Sequence, residues 1–214
     1  SFAGDGAVEI GKGLHLQRGD FRVEENPTIA LKGNANLFHG SVLGAGRLNL
    51  NGSSTQTLFS DQGKAQSFGS LLINNNVQLT SAARASWMEF GGNRVVDINK
   101  HNLELTNSNV YGATGWSTNK LIRTSGLSSD GGLTLPVNSA NGVVQFFPLG
   151  IEGGTMAYAR ITGAESTARL GKVTVVPVNG RHPGAVSASS GLVDFYFKSN
   201  IEFGANAALM YSFG

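Results

Sequence analysis

The feature that most constrains this chain is the brevity and spacing of its apolar stretches. Val8-Glu9-Ile10, Leu14-His15-Leu16, Phe21-Arg22-Val23, Ile29-Ala30-Leu31 and Leu48-Asn49-Leu50 are followed by Leu71-Leu72-Ile73, Val77-Gln78-Leu79, Val95-Val96-Asp97-Ile98 and Leu103-Glu104-Leu105. Most of them alternate apolar and polar residues, the period-2 signature of half-buried strands. Between them lie Gly, Asn, Ser and Asp, residues that accept turn conformations at low cost. No window of a dozen residues carries an apolar stripe of helical period. Composition agrees. Glycine reaches 30 of 214 residues and charged residues only 14%, against about 7% and about 25% in ordinary globular chains. This combination excludes a coiled coil, a helical bundle and a charge-rich disordered tail. An apolar content of 40% also argues against disorder, which requires low hydrophobicity with high net charge. The chain is expected to be all-β.

Very short strands at close spacing, with loose self-similarity on the order of 20 residues, suit a parallel β-helix or β-solenoid. The similarity is visible where Leu14-His15-Leu16-Gln17-Arg18-Gly19 resembles Leu103-Glu104-Leu105-Thr106-Asn107-Ser108, with Leu48-Asn49-Leu50-Asn51-Gly52 beginning the same way. Each coil of such a fold buries its apolar residues only against the coils above and below. Leu48, Leu50, Leu71 and Ile73 are therefore expected to point inward. Asn74-Asn75-Asn76 is expected to form a turn whose amides stack on neighbouring coils. The competing topology is a meandering antiparallel sandwich with poor repeats.

The pattern changes near Ser125. Asp130-Gly131, Asn141-Gly142 and Asn179-Gly180 follow, each flanked by apolar runs, which is the strongest short-range hairpin signal. The flanking runs are longer and more aromatic: Val143–Phe147, Tyr158–Ile161, Lys172–Val176 and Leu192–Phe197. Hairpins with alternating faces point to an antiparallel β-sandwich. The expected organisation is a β-solenoid over 1–125 followed by an antiparallel β-sandwich module over 126–214, incomplete at its C-terminus.

Sixteen basic and 14 acidic residues leave a net charge of +2, too little for a nucleic-acid surface that works by counterion release. With no cysteine, disulfides, thiolate metal sites and a cysteine nucleophile are excluded. No apolar run approaches the roughly 18 residues of a membrane span. The first residues show no signal peptide, and the apolar, uncharged stretch Ala207–Phe213 reads as a strand needing a neighbour. The chain is thus expected to be a piece of a longer protein, with other domains of that protein as its partners.

No catalytic signature emerges. His15, His39, His101 and His182 lack metal-ligand spacing, and no His-Glu-x-x-His, Gly-x-Ser-x-Gly or Walker motif occurs. Asp5-Gly6 and Asp130-Gly131 read as turns, since no spaced calcium loop surrounds them. The densest acidic group is Asp20, Glu24 and Glu25, beside Arg18 and Arg22; it reads as a solvated strand face. A paired-carboxylate glycosidase could still assemble its acids from neighbouring coils. Trp116, in the loop-like Gly112–Asn119, is the candidate for stacking on a sugar ring or another partner. Trp87, beside Met88 and Phe90, reads as core or as the cap of the coil stack. No cofactor and no metal are expected.

Two segments carry a resemblance. Gly44-Ala45-Gly46-Arg47-Leu48-Asn49-Leu50-Asn51-Gly52, leading through Gln56 to Leu71-Leu72-Ile73-Asn74-Asn75, resembles the coil repeats of large Bacteroidetes surface and secreted proteins. Phe147-Pro148-Leu149-Gly150, Tyr158–Thr162, Gly171–Val175, His182-Pro183 and Phe195-Tyr196-Phe197 resemble the sandwich module that often follows such coils. That module often has Tyr-Trp where this chain has Tyr196-Phe197. The resemblance implies a non-enzymatic adhesin-like segment at the cell surface or outside the cell, exported by the type IX secretion system. Secretion or surface-anchoring proteins would then be partners. It supplies no active-site residue. The alternative from another class is a carbohydrate-binding or polysaccharide-degrading β-helix module.

Overall fold

The structure is a computed structural model that describes residues 8–61, 67–107, 110–111, 115–153, 156–184, 195–203 and 209–213. Its described residues form strands and turns, with no helix. The first coil consists of β1 (Val8–Ile10), β2 (Leu14–Leu16) and β3 (Phe21–Arg22). The second consists of β4 (Thr28–Leu31), β5 (Ala35–Leu37) and β6 (Val42–Leu43). Next come β7 (Arg47–Leu50) and β8 (Gln56–Ser60), then β9 (Ser70–Ile73), β10 (Val77–Leu79) and β11 (Ala83–Ala85). The stack continues with β12 (Trp87–Phe90), β13 (Val95–Asn99) and β14 (Asn102–Leu105), and then β15 (Val110–Tyr111), β16 (Leu121–Thr124) and β17 (Gly132–Asn138).

Like strands of successive coils pair in parallel. One lateral sheet runs β1-β4-β7-β9-β12-β15, and another contains β2, β5, β8, β10, β13 and β16. This is a parallel β-solenoid of about five turns. Its step varies: Val8, Ile29, Leu48, Leu71 and Met88 are successive partners at intervals of 21, 19, 23 and 17 residues.

The registers explain why the pattern folds this way. Ile29, Leu48, Leu71 and Met88 stack as one inward column, and Leu31, Leu50, Ile73 and Phe90 as a second. All eight are at most 4% exposed, and burying each such side chain stabilises the fold by about 1.5–3 kcal/mol. A one-residue slip would turn a whole column to solvent, so the alternation fixes the register. Leu48, Leu50, Leu71 and Ile73 all face inward, as expected. The similarity between Leu14-His15-Leu16, Leu48-Asn49-Leu50 and Leu103-Glu104-Leu105 does not mark equivalent positions, however. The three lie in different sheets. Every face of the coil needs the same in–out alternation, so the motif repeats around a coil as well as along the stack.

The glycines of Gly44-Ala45-Gly46 have a geometric reason. A Cβ on Gly44, at φ +106°, would lie 2.1 Å from the Val23 carbonyl oxygen of the preceding coil, and one on Gly46 would lie 2.1 Å from Val23 Cγ1. Only glycine permits this close approach of two coils.

Three elements of the second half are β18 (Val144–Phe147), β19 (Leu149–Ile151) and β20 (Ala159–Gly163). They are followed by β21 (Leu170–Asn179), β22 (Phe195–Phe203) and β23 (Leu209–Phe213). The parallel ladders continue into this half, since β17 pairs with β14 and β19 with β16. Antiparallel sheets are then added: β17-β21-β22 extends one solenoid face, and β18-β20-β23 forms a separate sheet. One apolar core runs through both parts, from Leu14 to Leu133, Phe147, Ile161 and Val175. Leu209–Phe213 pairs within the second antiparallel sheet; Ala207 and Ala208 lie outside the described residues.

The dipeptides read as hairpins need correction. Asp130-Gly131 joins β16 to β17, and Asn141-Gly142 joins β17 to β18, each pair lying in different sheets. Asn179-Gly180 begins the connection between the true antiparallel neighbours β21 and β22, a connection far longer than two residues. Other connections use a residue at positive φ just as a tight hairpin turn does, and Gly142 and Gly180 supply it at +79° and +122°. The dipeptide marks the turn without specifying what it joins.

Candidate functional site

A polar concavity lies on the outward face of the sheet containing β14, β17, β21 and β22, a groove of about 350 Å³. Strand alternation creates it. Leu103, Leu133, Leu135, Val173 and Val175 point into the core, so Asn102, Glu104, Thr134, Lys172 and Thr174 must point out. Cross-strand register sets Glu104 beside Thr134, Thr134 beside Thr174 and Thr174 beside Asn200. The Asn102 amide donates to Thr134 Oγ1 at 2.8 Å and to the Gly131 and Gly132 carbonyls at 3.1 Å each. Thr134 and Thr174 share a hydroxyl hydrogen bond of 2.7 Å.

The charged members of the groove hold hydrogen bonds. Glu104 Oε1 accepts a hydrogen bond from Lys172 Nζ and lies 3.8 Å from Arg84 Nε. Lys198 Nζ donates to the Ser128 carbonyl at 3.2 Å, and the Asn200 amide to Glu202 Oε1 at 3.3 Å. Glu104 Oε1 thus lies between an ammonium and a guanidinium. The row can donate to and accept from a polyhydroxylated ligand.

At one end of the groove lies Asp130, only 5% exposed, with Oδ2 accepting the Leu127 N–H at 3.0 Å. Burial pushes its carboxyl above the usual aspartate value, opposed by backbone hydrogen bonds from the preceding turn and by the Thr124 hydroxyl. Burial and the neighbouring Lys100 ammonium hold His101 below the usual imidazole value.

The sequence-derived candidates are placed elsewhere. Trp116 is half-buried, with Phe90 edge-on at 5.2 Å, Phe146 at 6.3 Å and Lys120 Nζ 5.6 Å from its ring centroid. Tyr158 extends this cluster, its ring tilted against Phe146 at 5.4 Å. Trp87 is not core. Met88 and Phe90 take the inward positions of β12, leaving Trp87 outside under the Arg47 guanidinium at 4.9 Å. Arg47 also pairs with Glu89 at 3.3 Å, across the intervening strand β9.

The dense acidic group does not converge on one point. Asp20 accepts the Ser41 N–H at 3.3 Å, Glu24 lies 4.0 Å from Arg22, and Glu25 occupies a left-handed corner at φ +62°. The histidines are likewise apart. His15 contacts the Phe38 ring, His39 faces Asp61 at 3.5 Å, and His182 Nδ1 accepts the Gly184 N–H at 3.0 Å. Among the described residues no three His, Cys, Asp or Glu side chains gather as metal ligands. Asp5-Gly6 lies outside the described residues.

The groove itself was not identified from sequence. Its members come from β14, β17, β21 and β22, and their outward placement follows from alternation. Their convergence depends on the β17–β21 and β21–β22 pairings, which no local motif announces. In comparisons with known proteins, no family model, no curated protein and no solved structure matches the chain.

Proposed function

We propose that this chain is a non-enzymatic structural and adhesive segment of a larger bacterial protein, secreted or held at the cell surface after type IX export. The observation that carries this reading is how the outward polar side chains are used. Lys32 pairs with Glu9 at 3.6 Å and Arg123 with Asp97, each from one coil to the next. Asn74 reaches Asn49, and Asn76 Oδ1 accepts the Val95 N–H, again between coils. Such links tie coil to coil along the axis, which suits a spacer whose length scales with coil number. The coil resemblance supplies the exported setting. The test is protease treatment of intact source cells followed by detection of the full-length protein. Loss of signal in wild-type cells and protection when type IX secretion is disrupted are the expected results; protection in both would overturn the reading.

The hydroxyl and amide row of Asn102, Thr134, Thr174 and Asn200 favours a second reading, a carbohydrate-binding module. A glycan array probed with the chain and with Thr134→Val tests it. Binding lost in the variant supports this reading, and no binding at all removes it.

A further inference from the structure

We propose that the chain self-associates as a two-fold dimer by antiparallel pairing of β22 with β22 of a second copy. β22 is nine residues long and ends the five-stranded sheet, and among the described residues no strand pairs with its other edge. Interior strands of this protein alternate buried and less buried positions, but Lys198, Ser199, Asn200, Ile201 and Glu202 are all exposed in succession. Lys198, Asn200 and Glu202 line the groove on one face, while on the other Ser199 reaches Tyr211 and Ile201 still leaves 45% of its surface in water. A long edge strand of this kind is a template for another strand.

The register follows from symmetry and charge. A two-fold axis normal to the sheet keeps each side chain on its own face, and directly opposed residues share a face, so the axis must pass through a residue. An axis through Lys198 or Glu202 opposes like charges, and an axis through Ser199 or Ile201 opposes no charges of opposite sign. An axis through Asn200 sets Lys198 opposite Glu202 of the second copy, twice, and Asn200 opposite its own counterpart. On the other face it sets Ser199 opposite Ile201 and Phe197 opposite Phe203. Single charges usually protect an edge by repelling a second copy. Here Lys198 and Glu202 are spaced so that a second copy satisfies both. This inference is independent of the exported, structural role proposed above.

The experiment is sedimentation of the 214-residue chain over rising concentration, with folding of each variant checked by circular dichroism. The weight-average mass should rise from 22.3 kDa towards twice that value. Lys198→Glu and Glu202→Lys each oppose like charges in both pairs and should weaken dimerisation by about tenfold. An equimolar mixture of these two variants should dimerise again, because the mixed dimer pairs opposite charges at both positions. As a second measurement, Asn200→Cys in this cysteine-free chain should give a covalent dimer on mild oxidation faster than the exposed control Ser166→Cys. A mass that stays at 22.3 kDa, a dimer unaffected by either reversal, a mixture that remains monomeric, or equal cross-linking rates for the two cysteine variants would each overturn the proposal.

Discussion

Asn74 donates its side-chain amide to Asn49 Oδ1 at 2.9 Å, joining the end of β9 to the outward side of β7 in the preceding coil. The next residues continue the pattern. The Asn75 amide donates to the Ser54 carbonyl, and Asn76 Oδ1 receives the Val95 N–H of the following coil at 3.0 Å. Asn34 plays the part of Asn76 two coils earlier, its Oδ1 accepting the Thr57 N–H at 2.9 Å. Hydrogen bonds of this kind, half-shielded from water, contribute about 0.5–1.5 kcal/mol each. A double-mutant cycle with Asn49→Ala and Asn74→Ala should return a coupling of that size by urea unfolding, and additive effects would show that the contact contributes nothing.

Leu50 carries the core. It is fully buried between Leu31 and Ile73 in one inward column. Neighbouring coils are tied on all faces and cannot collapse into a void, so Leu50→Ala should cost about 2–5 kcal/mol. Chemical denaturation checks this, and a change under about 1 kcal/mol would contradict the packing described.

Gln56 is a buried polar side chain at a corner. Its amide donates to the Leu31 and Gly33 carbonyls at 2.9 and 2.5 Å, and its Oε1 accepts the Gly52 N–H at 2.8 Å. Gln56→Leu would fill the space but strand Gly33 O and Gly52 N–H, because only the Leu31 carbonyl keeps another donor, Asn51 N–H. The expected loss is about 2–4 kcal/mol, with amide exchange of residues 50–57 accelerated ahead of the rest of the chain.

Asp130 should make stability depend on pH in acid. Its carboxyl is raised in the folded state by burial, so the folded chain holds this proton more tightly than the unfolded chain. The favourable contribution is complete below the unfolded pKa and is lost as pH rises through the folded value. Asp130→Asn keeps an acceptor for the Leu127 N–H and removes the buried charge. The variant should be more stable than wild type at pH 7 and lose that advantage at pH 3, as measured by thermal melts at both values.

The nine apolar stretches singled out in the sequence all fall in strands or beside one, because a strand with one wet face must alternate. Other strands, among them β5, β6, β8, β11, β16 and β17, lie outside the runs that the pattern singles out. β5, β8 and β11 have Ala35, Gln56 and Ser60, or Ala83 and Ala85 at inward positions, where small or polar residues weaken the alternation. Ala35 and Ala85 are nonetheless fully buried. Trp87 misled for a related reason. Its size argued for burial, but Met88 and Phe90 fixed the phase of β12, and phase outranks size. The groove was the least legible part. Glu104 and Lys172 are 68 residues apart in sequence, and only the non-local pairing of β17 with β21 brings them together.

The central claim is that the coils form a spacer that resists extension, and single-molecule pulling between handles at the two ends of the chain tests it most directly. A coil of about 20 residues at about 3.5 Å per extended residue should release about 70 Å. The account predicts a force plateau or sawtooth whose steps are that length or whole multiples of it, with Leu50→Ala lowering the force of the steps near β7. Extension at forces no greater than those of a disordered chain of the same length would contradict it.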